Sequence, residues 1–536
     1  MARVKQFLTL LSIYSLYLSG VAADVQCNGA DRKTLLEIKA AITQDPTGAL
    51  SSWGRLPDCC NGNWNGVHCD VNTGKVTMIN LRSKFFDSLN TNQYMAGTLS
   101  ESIGDLTELV NISLPAWKKL TGKIPNSIVR LHHLNTLDLS QNDLIGKMPS
   151  WIPRLSKLRV LRLGGNRLRG IIPQAITTMS NLRQLEIEEN RITGTISPSM
   201  GNLSRLVSLR LNNNLLYGSL PESIGSIQRL LVLDASHNAL VGSIPSSYGN
   251  ISGLLYLFLD NNKLAYTIPS SLGRLSRLWA LHLEDNRLTG YIPASLGNLS
   301  RLVALDLSRN FLEGPIPTSF SLFTFLGTFK VSGNRLTNPL PSLPSLPDFL
   351  HLSYNRFKLG NSIPTWITNS SLGYEISLAG CGIDMRLEDW KPSAAQYFTS
   401  VDLSANNISG SAVEFFASMP FLNHANLSYS QLRYDFSSGV NYSGPLQTLD
   451  LHSNHLYGSI PSSIGTLTDL KTMDLSKNGL TGKIPTEMLN LWNLSQLNVS
   501  YNHLCGEIPQ GKPLNEFPAS SYSLNKCLCE LPLPPC

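Results

Sequence analysis

The sequence has few charged residues and lacks the motifs of the common enzyme classes. Lysine, arginine, aspartate and glutamate make up 15% of its 536 residues, against about a quarter in a typical soluble domain. The net charge is +6, and no run of Lys or Arg forms a stripe that would follow a phosphate backbone. A phosphate loop, a metal-binding His-Glu-x-x-His motif and a nucleophile elbow are all missing. We therefore expect neither nucleic-acid binding nor catalysis, and no cofactor or metal ion.

Long hydrophobic runs are missing beyond the amino terminus. There, Arg3 and Lys5 precede an apolar run over 7–18, and the small residues of 21–23 follow it. This layout is typical of a cleaved signal peptide, here 1–23. The alternative, an uncleaved membrane anchor, is disfavoured because the run is shorter than the ~20 residues that span a bilayer. We therefore expect a secreted protein of the extracellular space or cell wall.

What the sequence has in abundance is one 24-residue repeat, rich in Gly and Pro. Its consensus, L-x-x-L-x-L-x-x-N-x-L-x-G-x-I-P-x-x-[IL]-G-x-L, is clearest from Leu278 to Leu299. Proline keeps the same step from Pro125 to Pro341, with Ser197 in the one gap. The asparagine recurs at Asn142, Asn166, Asn190, Asn214, Asn238, Asn262, Asn286, Asn310 and Asn334. Such a period is the signature of a solenoid.

The repeat has a direct physical interpretation. The L-x-L alternation predicts a short strand with Leu inward and the x residues outward. The Asn amide can bond neighbouring backbone where the chain turns. Stacked copies would bury a continuous core, and the bulkier side opposite the strands would curve the stack. The fold class is thus an α/β solenoid with a parallel, concave sheet.

The period is broken in the middle of the chain. After Asn334 the spacing is 21 residues to Asn355, 26 to Cys381 and 25 to Asn406, and regular steps then return through Asn502. We predict an amino-terminal cysteine cap over 24–75, about 17 repeats over 76–504 with an irregular stretch at 335–445, and a carboxyl-terminal cysteine cap over 505–536.

Eight of the nine cysteines flank the repeats: Cys27, Cys59, Cys60, Cys69, Cys505, Cys527, Cys529 and Cys536. A solenoid exposes an apolar cross-section at each end, so cross-linked caps are expected there. Zinc is the rival interpretation, but the vicinal Cys59-Cys60 and export to an oxidising compartment favour disulfides. Each quartet allows three pairings. The ninth, Cys381, occupies the Asn position of its repeat and is expected to be buried and free.

The mature chain resembles plant extracellular leucine-rich-repeat proteins, including polygalacturonase-inhibiting proteins and a DNA-damage-repair/toleration-like group. The resemblance rests on the L-x-G-x-I-P turn, on the amino-terminal cap over 31–69 and on the closing Asn525–Cys529 segment. It implies a right-handed superhelix with disulfide-capped ends and a second short strand at L-x-G. The cap pairings that it implies are Cys27–Cys59, Cys60–Cys69, Cys505–Cys527 and Cys529–Cys536. This chain departs from the polygalacturonase inhibitors in its greater length and its irregular stretch.

The outward strand positions are the candidate ligand-binding surface. Tyr256 and Phe258, taken as exposed, form with His282 an aromatic spot beside acidic residues, a composition typical of a protein-binding hot spot. The alternative is that such side chains only solubilise the strands and improve cross-strand pairing. The candidates are Arg162, Glu186, Arg210, Asp234, His237, Tyr256, Phe258, Asp260, His282, Glu284 and Asp285.

N-x-[ST] sequons predict glycosylation at Asn111, Asn202, Asn250, Asn298, Asn369, Asn407, Asn426, Asn441, Asn493 and Asn498. Asn202, Asn250 and Asn298 share one repeat position away from the strands. Asn111, Asn426 and Asn498 instead fall on strand positions, where a glycan would obstruct the concave face. If they are occupied, the middle of the array, from about Asp138 to Lys330, is the open surface; the alternative is that strand sequons are poorly used.

These observations favour a secreted recognition protein that binds a protein ligand on its concave face. From the resemblance, that ligand would be a microbial cell-wall-degrading enzyme, such as a polygalacturonase, which the protein inhibits in defence. The alternative is a peptide-binding or co-receptor partner of receptor kinases. A weaker alternative is ice or wall-polysaccharide binding by the regular outer surface.

Overall fold

A computed structural model describes residues 26–55, 58–60, 62–81, 94–368, 373–390, 397–439, 442 and 444–536. The predicted signal peptide over 1–23 and the sequons at Asn369 and Asn441 lie outside these residues. The chain divides into two compact units, Met1–Leu168 and Arg169–Cys536. Among the described residues, no helix combines the length and the apolar character needed to cross a membrane.

The first unit begins with a disulfide-bonded cap. Its α-helix, Gly29–Ala40, is capped by Asn28, whose side chain accepts hydrogen bonds from the backbone N–H groups of the first helical turn. The buried rings of Trp53 and Trp64 stack with their centroids 5.7 Å apart. Two disulfides, Cys27–Cys59 and Cys60–Cys69, cross-link the loops that carry these tryptophans.

The repeats of the first unit add strands to two sheets, which we call the main sheet (L-x-L strands) and the second sheet (L-x-G strands). In each sheet the first pair is antiparallel and the later pairs are parallel. The main-sheet strands are Val67–Cys69, Val76–Asn80, Asn111–Ser113, Thr136–Asp138 and Val160–Arg162. The second-sheet strands are Ile42–Gln44, Ala96–Thr98, Lys119–Gly122 and Asp143–Lys147, and the 3-10 helices are Glu101–Asp105, Asn126–Arg130 and Ile152–Arg154.

The main sheet of the second unit is parallel and unbroken, even through the irregular stretch. Its strands are Gln184–Glu186, Ser208–Arg210, Val232–Asp234, Tyr256–Phe258, Ala280–His282, Ala304–Asp306, Thr328–Lys330, Phe349–His351, Glu375–Ser377, Ser400–Asp402, His424–Asn426, Thr448–Asp450, Thr472–Asp474 and Gln496–Asn498. Each pairs in register with the next. The unequal spacings after Asn334 therefore do not shift this sheet.

The second sheet of the second unit is interrupted instead. Within the described residues it forms three groups: Arg167–Ile171 (of which 167 and 168 belong to the first unit), Arg191–Thr195, Leu215–Ser219, Ala239–Gly242, Lys263–Tyr266, Arg287–Tyr291, Phe311–Pro315 and Arg335–Thr337; then Asp384–Arg386, Asn407–Gly410 and Gln431–Leu432; then Tyr457–Ser459, Gly479–Gly482, His503–Glu507 and Cys527–Cys529. The first break follows Thr337, where four prolines between 338 and 347 remove backbone N–H donors from the ladder.

Short helices link the sheets in the second unit. Most are 3-10 helices preceded by a proline, and the glycine at their end permits close packing: a Cβ atom on Gly273 would lie 2.2 Å from the carbonyl oxygen of Ser295 in the next repeat. The α-helices are Thr365–Thr368 and Val413–Ala417. The 3-10 helices are Gln174–Thr178, Met200–Asn202, Glu222–Ser226, Ser246–Asn250, Ser270–Arg274, Ala294–Asn298, Thr318–Leu322, Leu387–Asp389, Phe436–Ser438, Ser462–Thr466, Thr486–Asn490, Leu514–Glu516 and Ala519–Ser521.

The repeated asparagines join neighbouring repeats through buried hydrogen bonds. The Nδ2 atom of Asn310 donates to the carbonyl oxygens of Leu283, Leu307 and Ser308 at 2.9, 3.2 and 3.1 Å. Its Oδ1 atom accepts from the N–H of Leu288 at 3.0 Å. Disulfides Cys505–Cys527 and Cys529–Cys536 close the carboxyl end. The predicted architecture, parallel strands in stacked sheets with disulfides at both ends, is confirmed.

Candidate functional site

The strand face is defined here as the outward side chains of the main sheet in the second unit. Because the strands pair in register, their third residues form a ladder along this face. From its first to its seventh strand the ladder consists of Glu186, Arg210, Asp234, Phe258, His282, Asp306 and Lys330. Adjacent members are about 4.8 Å apart across the sheet and can contact one another. Arg162 belongs to the first unit, where its Nη1 atom lies 3.5 Å from Oδ2 of Asp138.

An aromatic group lies at the centre of this ladder and consists of Tyr256, Phe258, Trp279 and His282. The Phe258 ring contacts the His282 imidazole, with centroids 4.8 Å apart. The Tyr256 ring packs against Phe258 at 5.9 Å and against the edge of Trp279 at 6.4 Å. Four rings from two neighbouring repeats thus form one continuous cluster.

The expectation that Tyr256 is exposed is wrong. Its ring lies between Phe258 and Trp279, and the residue is only 7% exposed. Burial raises the pKa of its hydroxyl. Phe258 is half-buried and Trp279 is 38% exposed. Sequence reasoning missed Trp279 because it considered only the outward positions within the strands, whereas Trp279 immediately precedes the strand Ala280–His282. The large aromatic residue at that position was the available signal.

Two of the acidic residues predicted for the ligand-binding surface are also buried rather than solvent-facing. Asp234 is 9% exposed because its Oδ1 atom accepts hydrogen bonds from the N–H and Oγ–H of Ser236 at 3.1 and 2.7 Å. Asp260 is 7% exposed and accepts from Nδ2 of Asn261 at 3.0 Å. Both carboxylates turn towards the loops that follow their strands. They shape the electrostatics of the face without projecting from it.

An acidic group borders the aromatic group and consists of Asp260, Glu284 and Asp306. Burial, followed by repulsion from Asp306 and Asp260, raises the pKa of Glu284 to about 9. Its Oε2 atom is buried and accepts no hydrogen bond from the described residues. Burial also lowers the pKa of His282. Burial and the neighbouring carboxylates therefore disfavour the ionised form of Glu284 unless a cation lies beside it.

The amino-terminal end of the strand face has a different character. Glu186 accepts a hydrogen bond from Oγ of Ser208 at 2.9 Å. Nε of Arg210 is buried and donates no hydrogen bond within the described residues. Burial raises the pKa of Glu188 to about 7, and the neighbouring Glu186 charge adds to the shift. The basic and acidic side chains at this end alternate along the ladder.

His237 and Asp285 lie on turns beside the strands. Both have positive φ angles, 51° and 53°. Nε2 of His237 is 3.5 Å from Oδ2 of Asp260. Asp285 accepts two hydrogen bonds from Arg309, one of them from Nε at 2.5 Å. These two residues therefore extend the strand face at its edge, next to the acidic group.

The described sequon asparagines differ in their surroundings. Those outside the main sheet are exposed: Asn202, Asn250, Asn298, Asn407 and Asn493. The main-sheet asparagines Asn111, Asn426 and Asn498 are half-buried. Asn426 accepts hydrogen bonds from Ser428, and Nδ2 of Asn498, the atom a glycan would modify, donates to Asp474 at 3.1 Å. The side chains of Asn426 and Asn498 are therefore less accessible than those of the exposed sequon asparagines.

Family comparisons match most of the array. The family described as "Leucine rich repeat N-terminal domain" matches residues 28–70. "Leucine-rich repeat region" matches 197–444. "Leucine rich repeat" matches 132–192, 156–216 and 445–504.

Individual relatives are similar over shorter segments. The DNA damage-repair/toleration protein DRT100 of Arabidopsis thaliana is 38% identical over 142 residues, 26% of this chain and 37% of that protein. A polygalacturonase inhibitor of Vitis vinifera is 33% identical over 115 residues, 22% of this chain and 31% of that protein. The matched segments thus span about a third of each relative's length.

A solved structure is similar over nearly the whole chain. It contains the Arabidopsis receptor kinase HAESA in complex with the peptide hormone IDA and the co-receptor SERK1. The match covers 94% of this chain and 98% of that one, with 26% identity and a TM-score of 0.52.

Proposed function

This chain belongs to the leucine-rich-repeat proteins, and we propose that it is a secreted recognition protein that binds a protein or peptide partner on its strand face. The proposal includes removal of residues 1–23 on export. It also includes terminal caps over 24–75 and 505–536 that protect the repeat array.

The aromatic group beside the acidic group is the observation that carries this proposal. Phe258 and Trp279 present partly exposed rings, and the buried Tyr256 holds them in place. Rigid aromatic side chains surrounded by polar groups are typical of the energetic centres of protein interfaces.

The charges of the strand face favour a particular kind of partner. Asp260, Glu284 and Asp306 lie close enough to repel one another. A partner that presents an apolar side chain to Phe258 and a cationic side chain to the neighbouring carboxylates would match both groups. Charge complementarity of this kind contributes to specificity and to the rate of association.

Inhibition of a microbial cell-wall hydrolase is the first candidate role. It is supported by similarity to the Vitis vinifera polygalacturonase inhibitor. In this role the strand face would contact the enzyme directly, because folded partners bind to extended surfaces rather than to small cavities.

Binding of a peptide, alone or beside a receptor kinase, is the second candidate role. It is supported by similarity along 94% of the chain to the receptor kinase HAESA in complex with a peptide hormone and a co-receptor. The long, continuous ladder from Glu186 to Lys330 would suit an extended segment that crosses several repeats.

One pair of variants tests the binding surface. Phe258→Ala removes the central ring, and Phe325→Ala is the matched control, since Phe325 is 65% exposed and lies outside the strands of both sheets. Inhibition of a fungal polygalacturonase that is lost with Phe258→Ala and retained with Phe325→Ala would support the first role. Phe258-dependent capture of a receptor ectodomain or peptide from cell-wall fluid, without inhibition, would support the second. Binding that is equally strong in all three proteins would contradict the strand-face proposal.

A further inference from the structure

Three side chains from two neighbouring repeats converge as a set of metal-ligand types. Asp260 follows the strand Tyr256–Phe258, while His282 and Glu284 come from the next strand and the turn after it. One ligand atom from each lies within 4.8 Å of the other two. Two ligands of a tetrahedral ion, each about 2.1 Å from it, are about 3.4 Å apart. Small side-chain rotations would therefore place all three on one cation.

The Glu284 carboxylate provides a second observation at this site, because one of its two oxygens is buried without a hydrogen-bond partner among the described residues. Its side chain is 14% exposed, and its buried Oε2 atom accepts no hydrogen bond from the described residues. The Oε1 atom lies 3.7 Å from Nδ1 of His282, beyond hydrogen-bond distance. Arg309 attracts this carboxylate, but it donates its hydrogen bonds to Asp285. A buried carboxylate left in this way is unfavourable unless it binds a proton or a cation.

We propose that Asp260, His282 and Glu284 bind one divalent first-row transition-metal ion, of which Zn²⁺ is the representative. A mixed imidazole and carboxylate set favours such ions over Ca²⁺ and Mg²⁺, which take oxygen ligands. Three protein ligands leave at least one position for water or for a group from a bound partner.

The neighbouring side chains suit this role. Nε2 of His237, in the preceding repeat, lies 3.5 Å from Oδ2 of Asp260. Asp306, on the next strand, adds negative charge without being one of the three converging ligands. The Phe258 ring against His282 restricts the rotation of the imidazole. Ligands held in this way lose less freedom on binding.

Other clusters of the described residues fit a metal less well. Cys27, Cys59 and Cys60 lie close to Asp58, but all three cysteines are in disulfides and provide no thiolate. His351 and His452 each contact one carboxylate, those of Glu375 and Asp450, and neither pair belongs to a converging set of three.

The metal site does not depend on the proposed partner, because its ligands all come from this chain. It is testable on the purified protein alone, and failure to find a partner would leave it intact. His351→Ala is the matched control, because His351 ends its strand as His282 does and also contacts a glutamate.

The test is calorimetric titration of the EDTA-treated, dialysed full chain with ZnCl₂, repeated with CaCl₂. We expect one saturable Zn²⁺ site per chain and no competition from Ca²⁺. His282→Ala and Glu284→Gln should each weaken binding at least tenfold, while His351→Ala should leave it unchanged. The thermal midpoint in EDTA establishes that each variant is folded, and Co²⁺ absorption provides a second readout of imidazole coordination. The absence of saturable Zn²⁺ binding, or binding that survives both His282→Ala and Glu284→Gln, would overturn the proposal.

Discussion

The phenyl ring of Phe258 lies against the imidazole of His282, one strand further along the main sheet, with ring centroids 4.8 Å apart. Tyr256, on the same strand as Phe258, fills the space between Phe258 and Trp279. The two aromatic residues of one short strand therefore differ in exposure. Tyr256 supports the aromatic group from within, whereas Phe258 remains partly exposed.

This difference predicts opposite effects of two alanine substitutions. Tyr256→Ala removes a ring that is 7% exposed and should lower the free energy of unfolding by roughly 3 kcal/mol, as for other buried aromatic truncations. Phe258→Ala, which removes a half-buried ring, should lower it less and mainly weaken partner binding. Urea denaturation followed by circular dichroism measures both changes. A larger loss of stability from Phe258→Ala than from Tyr256→Ala would contradict the assignment.

The buried hydrogen bonds of the repeated asparagines predict a second effect on stability. Asn310→Ala leaves three buried carbonyl oxygens and one N–H without their side-chain partner. Each buried group left unsatisfied costs about 1–3 kcal/mol, so we expect a loss of at least roughly 2 kcal/mol. Asn490→Ala is the control, since that side chain is exposed at the end of a 3-10 helix. Similar urea midpoints for the two variants would show that the buried hydrogen bonds of Asn310 contribute little to stability.

The sequence predicted the repeat register well because one period determines both the strand and its outward positions. The ladder formed on the strand face by the third residue of each strand follows directly from the recurrence of Leu every 24 residues. The continuity of the main sheet beyond Asn334 could not be predicted, because the unequal spacings are accommodated on the other side, where prolines interrupt the second sheet. The burial of Tyr256, Asp234 and Asp260 also escaped prediction. It depends on contacts from neighbouring turns and from Trp279, which alternation along a single strand does not describe.

Cys381 provides a third prediction, because it occupies the position of the repeated asparagine and carries a thiol instead of an amide. Its side chain is fully buried, and it is the free cysteine of the described residues. Burial raises the pKa of the thiol to about 12, so the reactive thiolate is scarce at neutral pH. Ellman's reagent should therefore detect no thiol in the native protein and one per chain in guanidinium chloride. Rapid labelling of the native chain, abolished by Cys381→Ser, would show that this repeat opens to solvent.

The last prediction concerns the pH dependence contributed by Glu188. Burial raises the pKa of its carboxyl from 4.5 to about 7, with smaller influences from Glu186, Arg210 and Glu189. The stability contributed by the protonated folded form is fully present below about pH 4.5 and is lost as the pH rises through about 7.

Glu188→Gln keeps the shape of the side chain and removes this titration. It should therefore change stability little near pH 4.5, and at pH 8 it should stabilise the protein by up to about 3 kcal/mol, since one pKa unit corresponds to about 1.4 kcal/mol. Urea midpoints of both proteins at the two pH values measure the difference. The difference in unfolding free energy between the two proteins isolates this carboxyl from every other titrating group. An equal effect of the substitution at both pH values would therefore mean that Glu188 ionises in the folded chain as readily as in the unfolded one.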